Sequence, residues 1–476
     1  MTFSRLWAVL AIGLPVFGAL LTNLSSVDLA YHLRAGAVTL DSGSIPTRDT
    51  FTFTAAGAPW VNQQWGAQVL LAGAYRIAGW TGLVLLRAVL VGTLFGLLFL
   101  AFRWGGLNRR SAAWLAIGAF VVCAVALGLR PQLFGMVLFA LTLAIVAGRH
   151  RYPGALWLLV PVVLVWANLH GSFFLGPLVA GLAWLQDRHD GVPRASRTLF
   201  VAVAAAIAAC VGPLGPAVWA YAAGLSTNAL ITSRISEWQP TSLRSIPGIL
   251  FFGSALLVVA VLARRHRAAS WPELLWLAVF FAIGAYAIRG VAWWPLAAGL
   301  VLAGLSAEGG GRATVEPVER PRRANTVIVA VLALAAIVLI PAWRPVDPAL
   351  GAPAGVVGNA PPGITAQLRA LAVPGDRLYN PQPWGSWFEF ALPALPVAID
   401  SRIEVFPPSV WDDYDAVSGA RVDWRSILDR WGVTIVVATK DRDLPLIEQL
   451  VADPGWRQAY ADADGRMFVR SDRPAG

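Results

Sequence analysis

The 476-residue sequence predicts an all-α polytopic membrane domain, residues 1–342, followed by a small extracytoplasmic α/β domain, residues 343–476. Three observations predict this arrangement. The chain is 57% hydrophobic and only 13% charged, with mean hydropathy +0.62, whereas soluble domains carry about a quarter charged residues. Apolar runs of membrane-spanning length recur through residues 1–342. The charge also changes sign: residues 1–342 hold 24 basic and 10 acidic residues, a net +14, and residues 343–476 hold 13 and 17, a net −4.

The first apolar run, 6–24, is about 18 residues long. That is near what a span needs and longer than the roughly 7–15 apolar residues of a signal peptide, so it reads as a retained first span. Further runs at 81–102, 111–129, 132–148, 154–169, 173–186, 198–214, 247–263, 271–288, 291–306 and 325–342 bring the expectation to about eleven spans. With a cytoplasmic N-terminus, the inward ends hold 16 arginines, from Arg5 through Arg103, Arg149, Arg188 and Arg264 to Arg323, and the outward segments hold eight. This is the bias of the positive-inside rule, and it puts residues 343–476 outside. A bacterial inner membrane is the expected location. The 22 Trp fit interfacial belts. The basic excess is thus topological, and without a basic stripe bearing stacking aromatics no nucleic-acid partner is expected. Cys123 and Cys210 sit in apolar runs and read as small core residues.

The Gly-, Pro- and charge-rich stretch 309–325 reads as a cytoplasmic linker before the last span. Beyond it, 397–400 and 433–438 read as short buried strands, and 364–371, 424–431 and 444–451 as helices, which gives a small α/β domain of about 130 residues. Two outward regions are not spans. In the long first outward loop, 25–80, two amphipathic segments, 27–40 and 61–80, flank a Thr-, Ser-, Gly- and Pro-rich middle, and they would lie along the membrane surface. Residues 215–245 form a second amphipathic stretch.

Acidic residues are sparse in the membrane part, and charge is costly at its boundary, so each outward acid is a candidate for function or pairing. Asp28 follows the first span directly, four residues before His32 and six before Arg34. It reads either as a helix N-cap or as a catalytic acid, and the two are compatible. Asp49, between Arg48 and a Thr-Phe-Thr-Phe run, reads as a turn residue paired with arginine or as a second catalytic acid. His170 and Asn168, in Trp166-Ala-Asn-Leu-His-Gly-Ser172, either line a cavity or anchor the interface. Arg130 and Arg289 break the positive-inside trend at outer span ends. Each could grip a phosphate, or snorkel or form a structural ion pair. Glu237 is the remaining outward acid. Asp28 and His32 are compatible with a divalent metal, but two ligands at this spacing do not specify one, and no metal site is assigned. There is no P-loop, Rossmann glycine pattern, nucleophile elbow or zinc-protease motif.

Several segments together resemble the GT-C superfamily of membrane glycosyltransferases, in particular bacterial proteins of the protein-mannosyltransferase and aminoarabinose-transferase kind. They are Val27-Asp-Leu-Ala-Tyr-His-Leu-Arg-Ala-Gly36, Ile45-Pro-Thr-Arg-Asp-Thr-Phe-Thr-Phe53, Pro59-Trp-Val-Asn-Gln-Gln-Trp65, Arg130-Pro-Gln132, Trp166-Ala-Asn-Leu-His-Gly171, Glu237-Trp238 and Asp400-Ser-Arg402. The resemblance implies a GT-C-like fold with a first outward loop carrying two surface helices. It implies a sugar donor linked to polyprenyl phosphate, reached from membrane lipid, and an extracytoplasmic glycan, lipid or protein acceptor. Asp28, with Asp49 as the other catalytic candidate, would act as general base. Arg130 or Arg289 would hold the leaving phosphate, and His32, Arg34, Gln64, Asn168, His170 and Glu237 would contribute to substrate binding. The chain departs from the pattern at one point: related sequences carry His-Glu-Trp where this one has Gln63-Gln-Trp65, and Gln64 cannot take a proton. Two rival readings follow, a lipid or glycan transporter and a non-catalytic assembly protein that keeps the fold. The lack of inverted symmetry or of polar groups through the spans counts against the transporter.

Overall fold

The structure is a computed structural model, and it describes residues 1–264, 269–308 and 319–473. The expected basic end 265–267 and most of the expected linker 309–325 lie outside the described residues. The chain folds into two compact units. One comprises residues 1–22 and 84–340, the other residues 23–83 and 341–476. The long first loop therefore shares a unit with the C-terminal region.

The first unit is helical throughout. A helix forms at each of the eleven apolar runs, but only five are long and apolar enough to cross a membrane: Phe3–Leu21, the Trp65–Trp104 helix that enters this unit at Val84, Arg109–Ala126, Ile246–Ala263 and Ile288–Ser306. Pro131–Ala147, Ala155–Leu169, Ser196–Ala208, Trp271–Tyr286 and Arg323–Leu339 are apolar but shorter. Of the about eleven expected spans, five are long and apolar enough to cross a membrane by length and composition among the described residues. The shortening has local causes. Apolar runs count residues that the backbone spends on turns: 3-10 turns at Ala155–Leu158 and Gly171–Phe174 precede Leu159–Leu169 and Leu175–His189.

Several charges in this unit serve helix ends or one another. Arg87, fully buried, donates to the Ala19 and Thr22 carbonyls, so it closes the C-terminus of Phe3–Leu21 where carbonyls lack partners. Glu273 accepts the Ser270 backbone N–H at 2.7 Å and starts Trp271–Tyr286. Asp187 pairs with Arg149 at 2.9 Å and accepts the Thr198 hydroxyl at 2.8 Å. Aromatic rings fill the core, with Phe139 against Trp166, Phe280 and Trp293.

The second unit mixes helices with a four-stranded sheet. In the sheet Leu378–Tyr379 runs parallel to Ile435–Ala438, which pairs antiparallel with Arg466–Arg470, and Trp456–Ala461 lies at the far edge. Pro362–Leu371, Trp424–Arg430 and Lys440–Ala452 are helices close to the expected ones. The expected strand at 397–400 is corrected. Only Val397 forms a bridge, to Leu378 on one side and Thr52 on the other, because the chain must leave the sheet to deliver Asp400 and Arg402. The Thr52 bridge extends the C-terminal sheet with the first loop, and Phe53 N–H donates to the Val397 carbonyl at 3.1 Å.

Both expected loop helices form, as Ser26–Ser42 and the start of Trp65–Trp104, which breaks its helical geometry at Ala78 and Gly79. Ser26–Ser42 buries Leu29, Ala30, Leu33, Ala35 and Gly36, and its most extensive packing is on Gln382–Ala391. Gly36 lets the second loop helix approach: a Cβ there would fall 2.0 Å from the Gln68 carbonyl oxygen and 2.8 Å from the Ala72 Cβ. The Asn62 and Gln68 amides, both buried, exchange two hydrogen bonds at 2.8 and 2.7 Å and close the loop beside that crossing.

Gly36→Val should therefore cost about 1–3 kcal/mol through overpacking. Thermal unfolding of the detergent-solubilised protein checks this, with Gly13→Ala, which meets open space, showing no loss.

Candidate functional site

The second unit is organised around Arg402. Its guanidinium is 1% exposed, donates to Asp49 Oδ1 at 2.6 Å, and donates from Nε to Asp400 Oδ2 at 2.9 Å. Three aromatic rings enclose it: Trp60 at 4.6 Å, Phe51 at 4.8 Å and Tyr31 at 6.0 Å from the ring centres. A delocalised, weakly hydrated cation suits such a box. Burial lowers the Arg402 pKa, but Asp400, Glu389 and Asp49 more than reverse this and hold it above its ordinary value. Glu389 lies in the same cluster. Burial first, then the Asp400 carboxylate, holds its pKa well above the usual range.

This cluster determines what Asp49 can do. Its Oδ1 accepts the Phe51 N–H at 3.2 Å besides Arg402, and its Oδ2 accepts the Thr52 N–H at 3.2 Å and the Thr52 hydroxyl at 2.5 Å. Both oxygens are occupied, and the side chain is buried. Asp49 does form a turn paired with arginine, but the arginine is Arg402 and not its neighbour. Arg48 instead donates to the Gly57 carbonyl at 2.8 Å.

Asp28 lies on the first loop helix. It occupies the first turn of Ser26–Ser42, half-buried, while Ser25 takes the N-cap position. Its carboxylate faces the positive end of the helix dipole. Tyr31, three residues further along the same helix, faces the Arg402 guanidinium. His32 is buried with its ring 4.0 Å from that of Tyr31. Arg34 donates to the Glu389 backbone carbonyl and lies 4.6 Å over Phe51. Gln64 is half-buried, and its backbone carbonyl accepts the Gln68 N–H. Among the described residues no group of three or more His, Cys, Asp or Glu side chains could hold a metal ion, so the Asp28–His32 pair gains no third ligand of that kind.

The other candidates lie in the first unit. Arg130, the residue before Pro131–Ala147, pairs with Glu237 at 2.7 Å. The neighbouring Trp238 receives Arg289 at 4.9 Å from its ring centre. The turn bearing Glu237 is fixed to the turn bearing Arg289 by Ile288 N–H on the Gln239 carbonyl at 3.0 Å and Thr241 N–H on the Ala285 carbonyl at 3.1 Å. Three residues distant in sequence are thereby brought together. His170 and Asn168 occupy their own networks. His170 Nδ1 lies 2.7 Å from the Ser172 hydroxyl, which accepts the Trp166 indole N–H at 3.1 Å. This network packs on Gly135, where a Cβ would lie 2.9 Å from Ser172 Oγ. Asn168 donates to the Leu164 and Val211 carbonyls, both at 2.9 Å.

Glu389, Arg402 and the aromatic box were not among the sequence candidates. The one signal for them is Asp400-Ser-Arg402, an acid and a base directly after the apolar Val397-Ala-Ile399.

Arg402→Met should destabilise the protein by about 3–5 kcal/mol, since Asp49 and Asp400 are left charged and buried. Arg130→Ala, in a partly exposed pair, should cost about 1 kcal/mol or less. Denaturant unfolding of the purified variants separates the two. Glu389 also gives a pH dependence. Its folded pKa is raised, so its contribution is full below the unfolded value of about 4.5 and is lost as pH rises toward the folded value. Glu389→Gln should flatten the fall in unfolding midpoint on the alkaline side, which a pH series of thermal melts reads directly.

No protein-family model matches the chain, and no curated protein matches it in sequence. Solved structures do match in fold. The archaeal oligosaccharyltransferase AglB from Archaeoglobus fulgidus, solved with an inhibitory peptide and a dolichol-phosphate, aligns with TM-score 0.57 at 13% identity, over 99% of this chain and 75% of that one. The apo form of the Archaeoglobus fulgidus enzyme gives 0.54 at 14% identity, over 98% and 74%. The form tethered to an acceptor peptide gives 0.51 at 14%, over 99% and 74%. Over nearly its whole length the chain shares the fold of this archaeal oligosaccharyltransferase.

Proposed function

We propose that this protein is a membrane glycosyltransferase that moves a sugar from a polyprenyl-phosphate donor to an acceptor outside the cytoplasm, with Asp28 as general base. The observation that carries this reading is the shared fold, over 99% of the chain, with an oligosaccharyltransferase solved with dolichol-phosphate. The chemistry is consistent with it. In such a transfer the acceptor gives its proton to a carboxylate and bonds to the anomeric carbon. The bond from that carbon to the phosphate oxygen breaks, and its electron pair leaves with the phosphate. Asp49, the other acid expected for the base, has both oxygens engaged by Arg402 and its own turn. The protein would sit in the bacterial cytoplasmic membrane, with residues 343–476 on its outer side.

Gln64 favours a second reading, a non-catalytic assembly protein, because it stands where the resemblance expects an acid. Complementation separates the two. Cells lacking the protein are complemented with wild type or with Asp28→Asn, and their envelope glycans are compared by mass spectrometry. The transferase reading predicts a sugar present with wild type and absent with Asp28→Asn at equal expression. A wild-type glycan profile with Asp28→Asn contradicts it.

A further inference from the structure

The C-terminal region holds a surface pocket of about 290 Å³ that shares no residue with the Arg402 cluster. Three stretches of chain meet at it. Helix Trp424–Arg430 contributes Arg425 and Asp429, four residues apart and so on one helix face. The turn after helix Lys440–Ala452 contributes Asp453 and Gly455. Arg470 comes from strand Arg466–Arg470, where it stands opposite Trp456 in the antiparallel pair. Its guanidinium rests 4.5 Å from the centre of the buried Trp456 ring. Two ion pairs line the pocket. Arg425 Nε donates to Asp453 Oδ2 at 2.7 Å, and Arg470 Nη2 donates to Asp429 Oδ1. One member of each pair is held by further bonds. Asp453 Oδ1 accepts the Gly455 N–H at 2.9 Å, and Arg470 Nε donates to the Val433 carbonyl at 3.2 Å. Polar groups held in one geometry before a ligand arrives suit a binding site.

We infer that this pocket binds one ring of a neutral, polyhydroxylated ligand, that is, a sugar residue. The atoms left over by the two ion pairs decide the class. Among the described residues Arg425 is engaged through Nε alone, so both its Nη groups can still donate. Arg470 keeps Nη1, and Asp429, engaged through Oδ1, keeps Oδ2 as an acceptor. The pocket therefore offers donors and acceptors side by side. A hydroxyl both donates and accepts, so neighbouring hydroxyls on a ring use both kinds of group at once. Charge argues against ions. The two arginines and two aspartates sum to zero, so an anion meets Asp429 and Asp453 as well as the arginines, and a cation meets the reverse. An apolar ligand would take water from four charged side chains without replacing their hydrogen bonds. The volume lies just under the roughly 300 Å³ at which small-molecule pockets begin, which fits a single ring and not an extended chain. The inference uses neither Asp28 nor the first loop, so it stands apart from the transferase reading.

The test uses the full-length protein in phospholipid nanodiscs, free of detergents with sugar headgroups. Methyl glucoside, methyl galactoside and methyl mannoside are added separately, and binding is read by saturation-transfer NMR on the sugar protons. At least one of these sugars should receive saturation, and excess inorganic phosphate should not displace it. Arg425→Ala and Asp429→Asn should each weaken the Kd by about tenfold or more, the loss expected for a hydrogen bond to a charged group. The unfolding midpoint should not move, because these side chains are 59% and 60% exposed and exposed pairs add little stability. Asp28→Asn should bind the sugar as wild type does, which keeps this site distinct from the general-base assignment. The inference is overturned by the absence of saturation in all of these sugars, by an unchanged Kd in either pocket variant, or by displacement with phosphate. Loss of binding in Asp28→Asn also overturns it, since the sugar would then sit at the first loop.

Discussion

The second unit depends on one buried cation. Arg402 joins residues of the first loop, Asp49, Phe51, Trp60 and Tyr31, to Asp400 in the C-terminal region. Removing a guanidinium and two carboxylates from water is costly, and attraction between them offsets that cost only when the geometry is complete. That condition makes the contact selective. The Asp49 turn satisfies its own carboxylate with Thr52 and Phe51, and the same turn bridges Thr52 to Val397, three residues before Asp400. A shift of the loop by one residue would break the bridge and the ion pair together. The helix carrying Asp28 is fixed from the other side, by its packing on Gln382–Ala391 and by Arg34 on the Glu389 carbonyl.

In the first unit several charged groups are engaged by helix ends or by each other. Arg87 closes a helix C-terminus, Glu273 opens a helix, and Asp187 pairs with Arg149. The cluster of Arg130, Glu237, Trp238 and Arg289 differs in joining turns and not helix interiors. Its ion pair is partly exposed, so a competing anion could draw on Arg130 at little cost in fold stability.

Local features were legible in the sequence, and distant pairings were not. The amphipathic period of 27–40 and 61–80 gave both loop helices, because a one-sided apolar stripe has only one stable use. The apolar runs gave a helix each, but run length overstated helix length where 3-10 turns such as Ala155–Leu158 intervene. The turn at Asp49 was readable from its Thr and Phe neighbours. Its partner lies 353 residues away, and nothing local in either segment names the other. Gln382–Ala391 and Pro408–Ser418 were missed because each opens with Pro at or beside its first position. Proline reads as a breaker unless its place in the first turn is known. Val397 looked like a strand because three apolar residues precede Asp400, and burial alone cannot distinguish a strand from a buried crossing segment.

A double-mutant cycle on Asp49 and Arg402 tests most directly that this pair joins the first loop to the C-terminal region. Asp49→Asn, Arg402→Met and the double variant are compared with wild type in denaturant unfolding. The account predicts strong coupling, with an interaction energy of roughly 2–3 kcal/mol and the double variant more stable than the sum of the single losses implies. Additivity within about 0.5 kcal/mol, the behaviour of residues that do not touch, would contradict it.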